Sequence, residues 1–147
     1  IKMDVSKMKD GDVAGLSAFQ GDAALLSIVK EGKKLFVVGT KESVALTEKE
    51  KAVTDVKREE VYRQPLNLKQ DKATKSSIIY LKMSCDFRLH QDLATLLYSI
   101  DGKTWIPAIK DFKMQYDYRR LNYATKAAGG YVDVDSFEYQ KQNSSEN

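Results

Sequence analysis

Three carboxylates near the end of the chain are spaced so that they could support acid–base chemistry. They form the pattern Asp133-x-Asp135-x-x-Glu138. In an extended strand Asp133 and Asp135 project from the same face, whereas Glu138 falls on the opposite face unless a bulge intervenes. Two carboxylates that flank a glycosidic bond could act as nucleophile and general acid. The same pattern also suits a polar strand face with no chemistry.

Two pairs of aspartates offer oxygen ligands for a metal ion. Asp10 and Asp12 form an early pair, and Asp133 and Asp135 form a late pair. Calcium takes about 6–8 oxygen ligands, so a carboxylate from each pair, completed by backbone carbonyls, could tie the first and last strands together. Asp-Gly-Asp is also a common turn sequence, and it lacks the spacing of a regular calcium loop. The favoured interpretation is a simple turn and a polar strand face, with a structural calcium ion at these four residues as the alternative, and no cofactor is required.

The most specific local signal is Asp101-Gly102 between alternating apolar residues. This sequence favours a type I′ hairpin, because both central residues of that turn need positive φ. Trp105 then lies on the returning strand, close to Tyr98. Both residues are candidates for stacking against a sugar ring, which needs a flat, exposed aromatic surface. The alternative is that Trp105 packs into the sheet.

Histidine and cysteine chemistry is limited, because the chain has one residue of each type, His90 and Cys85. A single cysteine excludes an internal disulfide and a zinc site built from several cysteines. We expect His90 to lie in a solvated loop and Cys85 to be an inert core residue. Apart from Asp133, Asp135 and Glu138, the sequence offers no convincing acid–base pair. We therefore expect this chain alone not to be catalytic.

The elements that must position these residues are strands, because apolar residues alternate with period two over most of the chain. Residues 42–57 are the exception, and their alternating charges predict a solvated loop with at most one helical turn near residues 48–52. Many short strands separated by turn sequences are typical of an all-β sandwich. The predicted strands cover residues 1–5, 13–19, 24–29, 34–39, 56–64, 78–87, 93–99, 118–124 and 131–139.

Length and charge restrict the partners. The chain has 147 residues, which suits one domain, and its 24 basic and 21 acidic residues are interspersed with a net charge of +3. This balance predicts no nucleic-acid partner. The sequence has no apolar run of about 18 residues, so we expect no membrane-spanning helix. The sequence opens within an alternating segment, so we expect further polypeptide before Ile1. We assign residues 1–139 to the sandwich and residues 140–147 to a polar tail.

Three stretches of the sequence are characteristic when taken together. They are residues 8–20 (MKDGDVAGLSAFQ), residues 98–105 (YSIDGKTW) and residues 122–137 (NYATKAAGGYVDVDSF). Together they resemble the C-terminal domain of family 43 glycoside hydrolases, the xylosidase and arabinofuranosidase family. The resemblance implies a concanavalin A-like jelly-roll sandwich of two antiparallel sheets. It also implies a five-bladed propeller before Ile1 that carries the three catalytic carboxylates, so none of these is assigned to this sequence.

Two further details bear on this resemblance. The family usually has a Phe-Met-Gly stretch and a hydrophobic strand before Asn-Tyr-Ala-Thr, whereas here Arg120 runs almost directly into Asn122. We interpret this as omitted residues, because the loss of a central strand would expose apolar faces. Separately, the pattern at residues 133–138 resembles the carboxylate run of laminarinase-type glycosidases, with Asp133 in place of the first Glu.

The sequence therefore predicts an accessory β-sandwich domain of a plant-polysaccharide-degrading glycoside hydrolase. Its expected partners are the catalytic propeller of the same polypeptide and a xylo- or arabino-oligosaccharide. One alternative is a self-sufficient carbohydrate-binding module that uses Trp105. Another is a laminarinase-like glycosidase that uses Asp133, Asp135 and Glu138.

Overall fold

The computed structural model describes residues 1–20, 22–46, 53–114 and 132–140. Within these ranges the chain forms β-strands and no helix. The strands are β1 (Lys2–Asp4), β2 (Val13–Gln20), β3 (Asp22–Glu31), β4 (Lys34–Leu46), β5 (Val53–Leu66), β6 (Ile78–Asp86), β7 (Leu93–Ser99), β8 (Ile106–Lys113) and β9 (Asp133–Ser136).

The strands pair into two antiparallel sheets. The five-stranded sheet has the order β8-β7-β6-β1-β9, and the four-stranded sheet has the order β2-β3-β4-β5. The prediction of an all-β sandwich of two antiparallel sheets is thereby confirmed. The second sheet is a meander, whereas β1 and β9 come from opposite ends of the described chain and pair with each other in the first sheet.

The core lies between the sheets and follows from the period-two pattern. In β3 every second side chain, at Ala24, Leu26 and Ile28, is fully buried. Ile79 and Leu81 of β6 belong to the same core cluster and are also fully buried. Each large side chain buried in this way stabilises the fold by about 1.5–3 kcal/mol relative to an exposed one.

Seven of the nine predicted strands occur close to their predicted positions, and among them residues 1–5 contain β1 and residues 56–64 lie in β5. Residues 13–19 and 24–29 lie in β2 and β3, residues 34–39 begin β4, and residues 78–87 correspond to β6. The strand predicted at residues 93–99 is β7 with the same bounds. The strand predicted at residues 131–139 is shorter, because β9 covers Asp133–Ser136.

The loop predicted at residues 42–57 is wrong at both ends of this range, because residues 42–46 and 53–57 belong to strands. β4 continues to Leu46 and β5 begins at Val53, and the two strands pair along their whole length. Opposite charges face each other across this pair, including Lys41 with Glu59 and Glu42 with Arg58. Such cross-strand pairs stabilise a charged ribbon in place of an apolar face. β5 is an edge strand, which also explains why it continues through Pro65.

Several predictions fall outside the described residues. They are the helical turn near residues 48–52, the strand at residues 118–124, the omitted strand between Arg120 and Asn122, and all of the polar tail except its first residue, Gln140.

Candidate functional site

The loop that carries Trp105 is built around the Asp101 carboxylate. β7 ends at Ser99 and β8 begins at Ile106, so six residues connect the strands. Oδ1 of Asp101 accepts the backbone N–H groups of Lys103 at 2.8 Å and Thr104 at 2.7 Å. Only the glycine of the Asp101-Gly102 pair has positive φ, at 71°. The predicted type I′ hairpin is therefore wrong, because the aspartate side chain closes a longer turn on its own backbone.

The same contacts keep Asp101 ionised. Hydrogen bonds from the N–H groups of Thr104 and Lys103, and then from the Ser99 hydroxyl, hold the pKa of Asp101 well below its usual range. These donors stabilise the charged carboxylate, and their hydrogen bonds join Asp101 to Ser99, Lys103 and Thr104 across the turn. The position of Trp105 at the end of this loop is thus set by local polar contacts.

Trp105 and Tyr98 lie on opposite faces of the five-stranded sheet. Tyr98 shares the core face with Leu81, its partner in the β6–β7 ladder, and only 7% of its surface is exposed. The Tyr98 hydroxyl lies 2.9 Å from the Tyr62 hydroxyl. Burial and this hydrogen bond raise the pKa of Tyr98 to about 12. Trp105 is half-buried, and Nζ of Lys82 lies 5.4 Å from its ring centroid. Of the two predicted sugar contacts, Trp105 is thus the one with substantial surface to offer.

Asp10 and Asp12 brace the loop before β2. Oδ1 of Asp10 accepts the N–H of Gly32 at 2.7 Å, which ties this loop to the β3–β4 turn. Asp12 is buried, and its Oδ2 accepts the N–H of Lys9 at 2.7 Å. Both carboxylates therefore have structural contacts of the kind expected for a turn.

Asp133 and Asp135 lie on β9, at the edge of the five-stranded sheet. All residues of β9 are exposed, and Glu138 beyond it is exposed too. The β1–β9 ladder shifts register between Lys2 and Met3, so a bulge occurs at Asp135. Oδ2 of Asp135 lies 2.9 Å from Nζ of Lys2, and this contact raises the lysine pKa.

The four predicted calcium ligands do not form one cluster of side chains. Within the described ranges there is no group of three or more His, Cys, Asp or Glu side chains that could hold a metal. A calcium ion at Asp10, Asp12, Asp133 or Asp135 would have to draw most of its ligands from backbone carbonyls and water. The calcium site stays a prediction.

His90 and Cys85 lie near the β6–β7 connection. His90 is exposed, has a φ of 65°, and accepts a hydrogen bond at its carbonyl from Nζ of Lys113 at 2.7 Å. Cys85 is half-buried against the core cluster, and burial raises the pKa of its thiol. A raised pKa disfavours the thiolate, so Cys85 lacks the property that makes cysteines nucleophilic.

A charged cleft opens where the inner face of the four-stranded sheet leaves the core. The face that carries Leu26 and Val37 continues through Gly39 to Lys41, whose ladder partners are Ala24 and Glu59. The cleft has a volume of about 220 Å³ and contains one aromatic side chain, Phe112 of β8. Its lining residues are Asp22, Lys41, Glu42, Ser43, Lys57, Glu59 and Phe112.

The sequence analysis did not identify this cleft, although a signal was present. The alternation of β4 places Leu35 and Val37 on the core face, and the same count places Lys41 and Ser43 there. Polar residues at core-face positions of a strand indicate that the opposite sheet no longer covers it. The cleft combines hydrogen-bond donors and acceptors with one aromatic side chain, so its lining is more charged than that of most small-ligand sites.

Comparison with solved structures identifies chains that are similar to this one. One is a bifunctional protein described as GH43-CE from Bacteroides eggerthii, with 33% identity and a TM-score of 0.66; the match covers 89% of this chain and 16% of that one. Another comes from work on engineering the active site of a family 43 glycoside hydrolase to display endo-xylanase and exo-arabinofuranosidase activity. It has 26% identity and a TM-score of 0.66, with 89% of this chain and 26% of that chain covered. This chain thus spans about a fifth of the length of the proteins that it resembles.

Other comparisons add no relative. No family model matches the sequence, and no curated protein matches it. Among the described residues, no helix is long and apolar enough to cross a membrane.

Proposed function

We propose, from the premise that this chain has the β-sandwich fold of a domain of family 43 glycoside hydrolases, that it is an accessory domain of a larger glycosidase. The observation that carries the proposal is the asymmetry of coverage. The match covers 89% of this chain but only 16% and 26% of the two similar chains. We infer that the whole enzyme is of the xylosidase or arabinofuranosidase type and that a catalytic propeller lies elsewhere in the polypeptide.

The engagement of the carboxylates supports a non-catalytic role for this chain. Asp12 and Asp101 accept backbone N–H groups, Asp135 pairs with Lys2, and Glu42 pairs with Arg58. Hydrolysis of a glycosidic bond needs two carboxylates placed across one bond, and one of them must have a raised pKa. The carboxyl pKa values that shift clearly, those of Asp4, Asp71, Asp86 and Asp101, are all lowered. In our proposal the acid and the base are therefore residues of the propeller.

The charged cleft supports a contribution to the substrate pocket. Sugar hydroxyls both donate and accept hydrogen bonds, so the alternating cations and carboxylates of Lys41, Glu59 and Lys57 suit them, with Phe112 as an apolar surface for a ring. In this proposal the sandwich presents the cleft to an oligosaccharide that extends from the propeller.

The proposal is tested by comparing the longer polypeptide with this chain alone on aryl xylosides and arabinofuranosides. We expect turnover by the longer polypeptide and none by this chain. In the longer polypeptide, Lys41→Ala should raise KM several-fold with little change in kcat, because it removes binding away from the reacting bond. Lys110→Ala, on the exposed surface of β8, is the matched control. A longer polypeptide with no glycosidase activity would contradict the proposal.

Trp105 supports a second candidate, a self-sufficient carbohydrate-binding module. Its ring is half-buried beside Lys82 on the outer face of the five-stranded sheet, so part of it remains available for stacking. A binding module would bind xylan or arabinan as an isolated chain and lose binding in Trp105→Ala. An accessory domain would show no such binding. Turnover by the isolated chain that is lost in Asp135→Asn would favour the laminarinase-like alternative.

A further inference from the structure

Three connections between strands meet at the end of the sandwich where β4 begins. They are the loop before β2 (residues 5–12), the β3–β4 turn with the strand ends beside it (residues 30–34) and the loop between β5 and β6 (residues 67–77). We call these three segments together the lysine-rich end. The first two are joined by a hydrogen bond at 2.8 Å from the N–H of Gly11 to the carbonyl of Lys30.

Strand pairing brings the third segment to the same place. It follows Leu66, the last residue of β5, which pairs with Leu35 at the start of β4. It ends at Ser77, whose carbonyl accepts the N–H of Val5 at 2.9 Å. Segments that are far apart in the sequence therefore lie side by side in the fold.

The charge of the lysine-rich end differs from that of the rest of the chain. The three segments contain eight lysines and four acidic residues, which gives a net charge of +4, whereas the whole chain has +3 and all other residues together have −1. All of these lysines are exposed except the half-buried Lys30. Charges that are interspersed along the sequence are thus separated by the fold.

The acidic residues of the lysine-rich end have contacts within the protein, whereas its lysines face solvent. Asp10 and Asp71 each accept a backbone N–H group at 2.7 Å. Asp12 is buried and accepts another at 2.7 Å, and Glu31 lies 2.6 Å from a guanidinium nitrogen of Arg63. Within the described ranges none of the eight lysines takes part in an ion pair. This surface therefore presents several ammonium groups to an anionic partner.

The residue types of the lysine-rich end favour a chain of carboxylates over a nucleic acid. The three segments contain no aromatic residue and no arginine. Single-stranded nucleic acids bind by stacking on aromatic side chains, and arginine binds phosphate through two parallel hydrogen bonds. A lysine ammonium is a point charge, which suits single carboxylates spaced along a polymer. Exposed amides such as Asn67 and Gln70 can bond to the hydroxyl groups between them.

We propose that the lysine-rich end binds a polysaccharide that bears uronic acid carboxylates. Each exposed ammonium–carboxylate contact is weak in water, so several of them act together along one sugar chain. The choice of a polysaccharide rests on the proposed function, in which the whole enzyme acts on one. The proposal adds the charge of that polysaccharide and a surface separate from the charged cleft, which lies towards the other end of β4, at Lys41 and Glu59.

Binding of this chain to glucuronoxylan tests the proposal, and the same polysaccharide with its carboxyl groups reduced to alcohols is the matched control. We expect the acidic form to bind, and its affinity to fall about tenfold between about 0.05 M and about 0.5 M NaCl, because salt screens exposed charges. The reduced form should not bind by this surface. Trp105→Ala should leave binding of the acidic form unchanged, which separates this surface from that of a module that stacks sugars on Trp105. Equal affinity for both forms would overturn the proposal.

Charge reversal locates the binding surface. Lys33→Glu and Lys72→Glu lie in different segments of the lysine-rich end, and each should weaken binding about fivefold, because one weak contact is lost and a repulsion replaces it. Lys110→Glu, on the exposed surface of β8, changes the net charge equally and should leave the affinity unchanged. Thermal melts check that all three variants are folded.

Three results would overturn the proposal: an unchanged affinity in both lysine-rich-end variants, an equal loss in Lys110→Glu, or tighter binding to duplex DNA than to glucuronoxylan at the same salt concentration. The last would make this a nucleic-acid surface. Failure of the proposed function has a different signature, because aryl xylosides carry no carboxylate. It would appear as a lack of turnover by the longer polypeptide on aryl xylosides, with binding of glucuronoxylan by this chain intact.

Discussion

The hydroxyl groups of Tyr98 and Tyr62 meet between the two sheets, at a distance of 2.9 Å. They come from β7 and β5, so this one hydrogen bond links the five-stranded sheet to the four-stranded sheet. A tyrosine that sequence analysis offers as a ligand contact is here a polar link inside the sandwich. The ring of Tyr98 is buried in the core and its hydroxyl is hydrogen-bonded to Tyr62, so neither group is available to a ligand.

We expect Tyr98→Phe to lower the free energy of unfolding by about 1 kcal/mol, because it leaves the Tyr62 hydroxyl without this partner. Tyr62→Phe should cost a similar amount, and the double variant should cost less than the sum, since both remove the same bond. Urea denaturation of the three variants measures this. Strictly additive losses would show that the two hydroxyls do not depend on each other.

The raised pKa of Tyr98 also predicts a pH dependence. Unfolded tyrosine loses its proton near 10, whereas Tyr98 in the folded chain holds it to about 12. The folded state therefore binds more protons in this interval, so stability is fully present below pH 10 and is lost as the pH rises through 12. Denaturation at increasing alkaline pH should show a steeper loss for the unsubstituted chain than for Tyr98→Phe.

Asp101 predicts the opposite dependence on pH. Its pKa is lowered in the folded state, so its contribution is present above the usual aspartate value of 3.8 and is lost as the pH falls further. Asp101→Asn should be less stable at neutral pH and should lose less stability on acidification. Because the chain has one tryptophan, emission from Trp105 reports the same loop. Quenching by acrylamide should rise in Asp101→Asn, and unchanged quenching would show that the loop does not depend on this carboxylate.

At the scale of elements, β2 and β3 approach each other closely at Gly15. A Cβ atom built on Gly15 would lie 2.1 Å from the backbone oxygen of Leu26. Backbone atoms cannot move aside as a flexible side chain can. The pairing of Gly15 with Ser27 in the β2–β3 ladder thus requires glycine.

We expect Gly15→Ala to lower the free energy of unfolding by about 1–3 kcal/mol, since the strands must separate locally. The matched control is Gly32→Ala, in the β3–β4 turn, where nothing lies within 4 Å of the added Cβ and the cost comes from a φ of +56° alone. Thermal melts of both variants compare the two effects. A Gly15→Ala variant that is no less stable than Gly32→Ala would contradict the close approach.

At the scale of the whole molecule, the predicted calcium ion would link the loop before β2 to β9 at the sheet edge. Binding to the folded state alone would raise the melting temperature by mass action, and a chelator would lower it again. We expect a rise with calcium that is reduced in Asp10→Asn and in Asp133→Asn. Asp71→Asn, on the exposed β5–β6 connection, is the control. An unchanged melting temperature with calcium and with chelator would show that these carboxylates have structural contacts only.

The sequence by itself determined the strand content, because period-two alternation and turn residues act over a few neighbouring positions. It predicted β6 and β7 closely, and it identified the resemblance that the comparisons bear out. It failed at the end of β4 and the start of β5, because a charged ribbon such as Glu42 with Arg58 is stabilised by its neighbour strand and has no apolar alternation of its own.

Only the tertiary structure decided which side of the sheet each aromatic residue faces and what each carboxylate contacts. Tyr98 and Trp105 are close in sequence, but a six-residue loop held by Asp101 places them on opposite faces. The physical reason is the range of the forces: local propensity acts over a few residues, whereas burial and cross-strand hydrogen bonds join residues that are far apart in the chain.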